Sequence, residues 1–315
     1  MSRKRIIYIT GMKPKPDPVL HRPELMRVLT ASLARVDPRA AKWLHSRQEN
    51  FVLVSWTSLL YPEPRDIEAD LPGIERLLEN PTPSSRDKYE ARAIWRNLLR
   101  AWHLVGDSYP WLSRLVASPA LKVTLGDVHR YLENHGGLAA RIRQQVIDAL
   151  VEAWEANESV LLIGHSLGSV IAYDSLWHLS RAARREGRVE LLLTMGSPLA
   201  TRFIRKGLMG ASRVGPERYP DSIDQWVNVS ARGEMVALHR RVRPFFSGML
   251  KLGLTQSIED VTGLYNHFRM DEMLNVHKSY GYMNHAVVAE RICRWLGYSS
   301  SGSIRTSIRR FRSLP

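Results

Sequence analysis

Residues 158–174, ESVLLIGHSLGSVIAYD, admit few folds. A short apolar run, Val160–Ile163, ends in Gly164-His165-Ser166-Leu167-Gly168, and an apolar-periodic run through Val170, Ile171 and Leu176 follows. The order is strand, sharp turn, helix, with a serine at the apex. Glycines two before and two after Ser166 allow strand and helix to pass closely, so the serine can take a strained turn with its hydroxyl exposed. A hydroxyl held in that way is a nucleophile if a histidine reaches it, and a helix-capping turn serine if none does. The five-residue pattern is weakly specific alone; the strand before it and the helix after it give it weight.

The remaining sequence repeats the alternation. Arg5–Thr10 reads as a buried strand, Lys13–Pro18 as an extended loop, Pro23–Val36 as a helix and Phe51–Trp56 as a second β-rich run. Leu138, Ile142, Val146, Leu150 and Trp154 share one helical face. Val189–Met195 and Gln225–Ser230 read as further strands, and Ala286–Leu296 as a last helix with Asn284 as its N-cap. Strands alternating with helices predict an α/β fold with a mostly parallel central sheet flanked by helices. Residues 61–131 exceed a usual crossover and contain Trp95, Trp102 and Trp111 at or near helical spacing; they read as an inserted, mostly helical cap. Domain organisation is therefore 1–298 with that insertion, followed by a basic tail, 299–315.

With this order in place, the chain resembles the α/β-hydrolases of the lipase/esterase-like kind, from the first strand near Ile6 to the last helix near Leu296, with the elbow as its most specific motif. The resemblance implies a serine hydrolase that cleaves a carboxylic ester through an acyl-enzyme, with residues in the order serine, acid, histidine. Ser166 is the nucleophile and Gly164 and Gly168 form the elbow. The acid falls after the Trp226–Ser230 strand. There the family carries Asp-x-Val, and this chain has Glu234 with Val236 trailing. Glutamate for aspartate is a departure, and Asp260 and then Asp224 stand behind it as alternatives. The histidine belongs about ten residues before the first core position of the last helix, which selects His277, ten before Val287. His285 adjoins the helix start and suits capping, and His267 is a further alternative. His165 is expected to point away from the apex and pack locally. The oxyanion donors are the N–H groups of Leu167 and Met12, the latter in Thr10-Gly11-Met12, where the family often has His-Gly-x.

Composition limits the other readings. The 315 residues, 44% hydrophobic, suffice for a large α/β domain. No dinucleotide fingerprint, P-loop, HExxH or CxxC pair occurs, and the histidines lack metal-ligand spacing; neither cofactor nor metal is expected. The single cysteine, Cys293, sits in an apolar-periodic helix, reads as core and suits a reducing compartment. The apolar run Ile6–Ile9 is too short for a signal-peptide core, and no run of about 18 apolar residues exists. The expected location is cytoplasmic, with peripheral association at a membrane as an option. Net charge is +14, which draws a protein toward anionic surfaces or acidic ligands. No specific nucleic-acid partner is expected; the partners are a small-molecule or lipid ester substrate and, through the tail, an anionic membrane. In that tail Ile304, Ile308, Phe311 and Leu314 would share a helical face beside Arg305, Arg309, Arg310 and Arg312. Readings kept beside ester hydrolysis are a non-catalytic protein of this fold that binds a membrane or protein partner, and an acyltransferase or thioesterase with the same triad.

Overall fold

A computed structural model of the chain describes residues 3–93, 119–234 and 239–298. Trp95, Trp102 and Trp111, Val236 and the basic tail lie outside the described residues.

Six strands form the central sheet: β1 (Arg3–Ile9), β2 (Phe51–Val54), β3 (Glu158–His165), β4 (Val189–Met195), β5 (Ile223–Ala231) and β6 (Ser257–Leu264). Their spatial order is β2-β1-β3-β4-β5-β6, and every neighbouring pair is parallel. A two-residue ladder, β7 (Arg269–Met270) with β8 (Met273–Leu274), stands apart from it. The helices are α1 (Pro18–Val36), α2 (Pro38–Ser46), α3 (Leu71–Glu79), α4 (Ser85–Arg92), α5 (Pro119–Leu132), α6 (Leu138–Glu155), α7 (Leu167–Trp177), α8 (Arg202–Gly207), α9 (Arg243–Lys251), α10 (Ser279–Met283) and α11 (Ala286–Trp295).

The strands explain the two cores. In β1, Ile6 and Tyr8 face one side with residues of α1, α2 and α11, while Ile7 and Ile9 face the other with α6 and α7. In β3, Leu161 and Ile163 join the first core and Val160 and Leu162 the second. A strand covered on both faces must be apolar at every position, hence the unbroken run before the elbow. The expected helical face of α6 is buried through Leu138, Ile142, Val146 and Leu150.

Differences from expectation have physical reasons. β6 escapes pattern reading because it is an edge strand: Ser257, Glu259 and Thr262 are exposed. Helix α1 starts five residues before Pro23, because Asp17 caps Val19 N and Pro18 occupies the first turn. Asn284 is not the cap of α11. That position is His285, whose Nδ1 accepts from Val287 N at 3.2 Å. Asn284 instead closes α10, donating its N–H to Tyr280 O at 2.8 Å, and its carbonyl accepts from Ser32 and Arg35 on α1. Between β2 and β3 the described residues include α3, α4 and α5. Cys293 is buried, which pushes its thiol up to about 11. Among the described residues, no helix is long and apolar enough to cross a membrane.

One buried carboxyl yields a stability prediction. Asp174, on α7, accepts from Met209 N at 2.9 Å and from Tyr131 Oη at 3.1 Å. Burial raises its pKa from 3.8 to about 6 despite those bonds. Between those values the native state holds a proton that the unfolded chain has released, so this group's contribution to stability falls as pH rises from about 4 through about 6. Asp174→Asn keeps the bond from Met209 N, reverses the Tyr131 contact so that Nδ2 donates to Tyr131 Oη, and removes the titration. Its unfolding free energy relative to wild type, followed by denaturant titration, is expected to rise between pH 4 and pH 7.5, the gap approaching roughly 3 kcal/mol at most. An offset identical at both pH values would contradict the assignment.

Candidate active site

Strand order reverses at β1. The chain runs from β1 outward to β2, then returns to β3 on the far side, so the crevice at the carboxyl ends of β1 and β3 is a topological switch point. Ser166 follows β3 and Met12 follows β1, at that crevice.

Ser166 has φ 55° and ψ −126°, a backbone conformation that is rarely adopted outside glycine. Close packing enforces it. A Cβ on Gly168 would lie 2.5 Å from Ile9 O, one on Gly164 2.6 Å from Ser169 Cα, and one on Gly11 2.9 Å from Ser166 Cβ. The two elbow glycines thus let β1, β3 and α7 converge, and Gly11 presses the loop after β1 against the serine. Ser166 N donates to Met195 O at 2.9 Å, tying the apex to β4.

Three side chains from separate loops meet here. His277 Nε2 is 2.9 Å from Ser166 Oγ, and His277 Nδ1 is 2.9 Å from Glu234 Oε2. Glu234, after β5, is 1% exposed. An acceptor-only carboxylate on Nδ1 requires the proton there, which leaves Nε2 able to accept from the serine hydroxyl. The same Oε2 accepts from Tyr282 Oη at 2.9 Å, and Tyr282 Oη itself accepts from Ala231 N at 3.0 Å. Tyr282 went unseen in the sequence, since a buried tyrosine five residues past His277 has no motif. Gly196, at φ +56°, lies against both partners: a Cβ there would be 3.1 Å from His277 Nδ1 and 3.2 Å from Glu234 Oε2.

The other candidates lie elsewhere. Asp260, on β6, caps α9: its Oδ1 accepts from Val242 N at 2.8 Å and Asn228 Nδ2 at 2.9 Å, and its Oδ2 from Arg243 N at 3.0 Å. Asp224, at the amino end of β5, bonds Arg188. His267 Nε2 faces Asn80 O at 2.9 Å. His165 is not confined to the local packing expected of it; instead its Nε2 reaches the backbone carbonyl of His277, 112 residues on, at 2.8 Å, with the two rings 4.8 Å apart. A carbonyl only accepts, so His165 Nε2 carries the proton. Burial first, then the neighbouring His277 and the more distant Lys15 and Lys278, hold its pKa well below the usual histidine value, so it anchors the His277 loop as a neutral donor.

The N–H groups of Leu167 and Met12 donate to no acceptor among the described residues. Leu167 opens α7, where the first amides have no intrahelical partner and the helix dipole favours negative charge. A hydroxyl, an imidazole and a buried carboxylate in line, with free amides beside the hydroxyl, can activate an oxygen nucleophile and stabilise an oxyanion. Among the described residues no group of three or more histidine, cysteine or acidic side chains is placed to hold a metal ion. A cleft of about 640 Å³ lined by Arg181, Arg184 and Arg188 opens at the amino ends of β4 and β5, at the opposite end of the sheet from Ser166. Arg181 bonds Asp221 and Arg188 bonds Asp224 there, so this cleft is no part of the site.

Comparison with known proteins adds no relative: no protein-family model, curated protein or solved structure matches the chain. The class that the molecule itself defines is an α/β protein with a parallel six-stranded sheet and a serine–histidine–glutamate constellation at its switch point.

Proposed function

We propose that the protein is a serine hydrolase of the α/β-hydrolase kind that cleaves a carboxylic ester through an acyl-enzyme. The observation that carries this reading is the unbroken line Ser166 Oγ, His277 Nε2, His277 Nδ1, Glu234 Oε2, at 2.9 Å for each bond. Ser166 Oγ attacks the ester carbonyl while His277 Nε2 takes its proton. The carbonyl oxygen gathers negative charge, met by the N–H groups of Leu167 and Met12. His277 returns the proton to the departing alcohol. Water, activated by the same nitrogen, then releases the acid and restores Ser166. Glu234 keeps the imidazole in its Nδ1–H tautomer and stabilises its cation. A bound alcohol in place of water would make the same intermediate an acyltransferase.

The direct test is labelling of the full-length protein with a fluorophosphonate. Covalent capture at Ser166, together with turnover of a p-nitrophenyl ester series, supports the reading. No labelling between pH 6 and 9 would leave a non-catalytic binding protein.

The support under His277 gives a graded prediction. Glu234→Gln removes the charge on Nδ1 and is expected to lower kcat by ~10³–10⁴-fold. Tyr282→Phe removes one bond to Oε2 and leaves the carboxylate, so a loss of about tenfold is expected, on the scale of one charge-assisted hydrogen bond. Asp260→Asn is expected to lower stability through the α9 cap and to spare turnover. Kinetics on the three variants decide between Glu234 and Asp260. An inactive, folded Asp260→Asn protein beside an active Glu234→Gln protein would reverse the assignment.

A further inference from the structure

On and next to the loops that carry Met12 and His277, three basic side chains share one acid among the described residues. Lys15 lies on the loop after β1, three residues past Met12; Arg65 lies on the loop after β2; Lys278 follows His277. All three are half-buried. One buried carboxylate, Asp70, serves the group: its Oδ1 meets Lys278 Nζ at 2.6 Å and its Oδ2 meets Arg65. Among the described residues Lys15 Nζ has no acidic partner within ion-pair distance, Asp70 acting on it only from further off; it donates to Met12 O at 2.6 Å, and Lys15 O accepts from Arg65 N at 3.0 Å. The nearby acid of α1, Glu24, is taken by Arg27 at 3.4 Å.

The surroundings register this excess. His21, 2% exposed, is driven down to about 3 by burial and by Lys15, Lys278 and Arg65. Lys15 itself is pushed down to about 7 by burial and by Lys278 and Arg65. Two fully enclosed polar atoms of the same wall, His21 Nδ1 and Tyr280 Oη, have no hydrogen-bond partner. The two rings stand edge to face, 5.9 Å between centroids. Like charges drawn together out of water are unfavourable unless an anion joins them. Lys15 and Lys278 lie on the loops that carry the candidate oxyanion donor Met12 and the candidate base His277, and Arg65 reaches the same aspartate from the loop after β2.

We infer that Lys15, Lys278 and Arg65 form an anion subsite, so that the preferred ester carries a carboxylate or phosphate-type group on the part of the substrate lying toward the loop after β1. This inference rests on the hydrolase reading and gives it a substrate class. The anionic group would accept from Lys15 and Lys278 in particular, and the two loops it bridges are the ones that position Met12 and His277. Binding energy from the charged end would thus hold the ester carbonyl against Ser166.

The experiment compares the full-length protein on three p-nitrophenyl esters: the butyrate, the hemisuccinate and the 3-phosphonopropanoate. The expected result is a kcat/KM at least about tenfold higher for one or both anionic esters than for the butyrate at low salt; which of the two leads identifies the anion. That ratio should collapse in Lys15→Met and Lys278→Met and persist in Lys15→Arg. A second measurement needs no variant: succinate or inorganic phosphate should slow fluorophosphonate labelling of Ser166 more than sodium chloride of equal ionic strength. Labelling with no anionic preference and no anion protection overturns this inference and leaves the hydrolase reading standing. Absence of labelling and of turnover on all three esters overturns both.

Discussion

Ser166→Ala is expected to lower ester turnover by ~10⁴-fold or more and to abolish fluorophosphonate capture, with the far-UV spectrum and Tm close to wild type. The chemical reason is that Ser166 Oγ is the side-chain oxygen that meets His277 Nε2 among the described residues, at 2.9 Å. The structural reason is that alanine is the least disruptive substitution available. The apex holds φ 55° because Gly11, Gly164 and Gly168 are packed against it, and alanine bears the same strain as serine. The bonds from Ser169 Oγ and Ser169 N go to the Ser166 carbonyl, which alanine keeps. Retention of more than about a hundredth of wild-type turnover in a folded variant would remove Ser166 from the reaction, being far above what donors and binding alone leave.

His277→Ala should be comparably severe, and His285→Ala should not. The two histidines sit eight positions apart in one short region and do different work. His277 bridges Ser166 and Glu234. His285 faces the start of α11, where its ring accepts from Val287 N and burial pulls its pKa down to about 4. Losing it removes an N-cap, a loss of about 1 kcal/mol of stability with the chemistry in place. Kinetics and Tm on the pair separate the effects: a ~10³-fold or greater fall in kcat for His277→Ala, and a lowered Tm with near-normal kcat for His285→Ala. The opposite pattern would move the base to His285 and break the geometric reading of the site.

Much of this was legible in the residues because the physics behind it is local. A strand buried on both faces must be apolar throughout, so Val160–Ile163 and Val189–Met195 could be read directly. A turn as tight as the elbow needs glycine wherever backbones touch, so Gly164 and Gly168 mark it in the sequence. Edge and cap positions were not legible in the same way. β6 carries polar residues on an exposed edge and escaped notice, and the helix cap was assigned to Asn284 although His285 fills it.

Sequence order alone determined the layered α/β class and the place of the serine turn, because periodicity and glycine placement act within a few residues. It could only rank Glu234 above Asp260, and His277 above His285 and His267. Those choices depend on where parallel strands deliver their following loops, over separations of 43 residues between Glu234 and His277 and 111 between Ser166 and His277. Only the tertiary structure decided that Asp260 serves a helix end, that Tyr282 and His165 brace the imidazole loop, and that Lys15, Arg65 and Lys278 share a single aspartate. Charges and hydrogen bonds act through space, and the sheet's reversal at β1 is what brings these distant segments to one crevice.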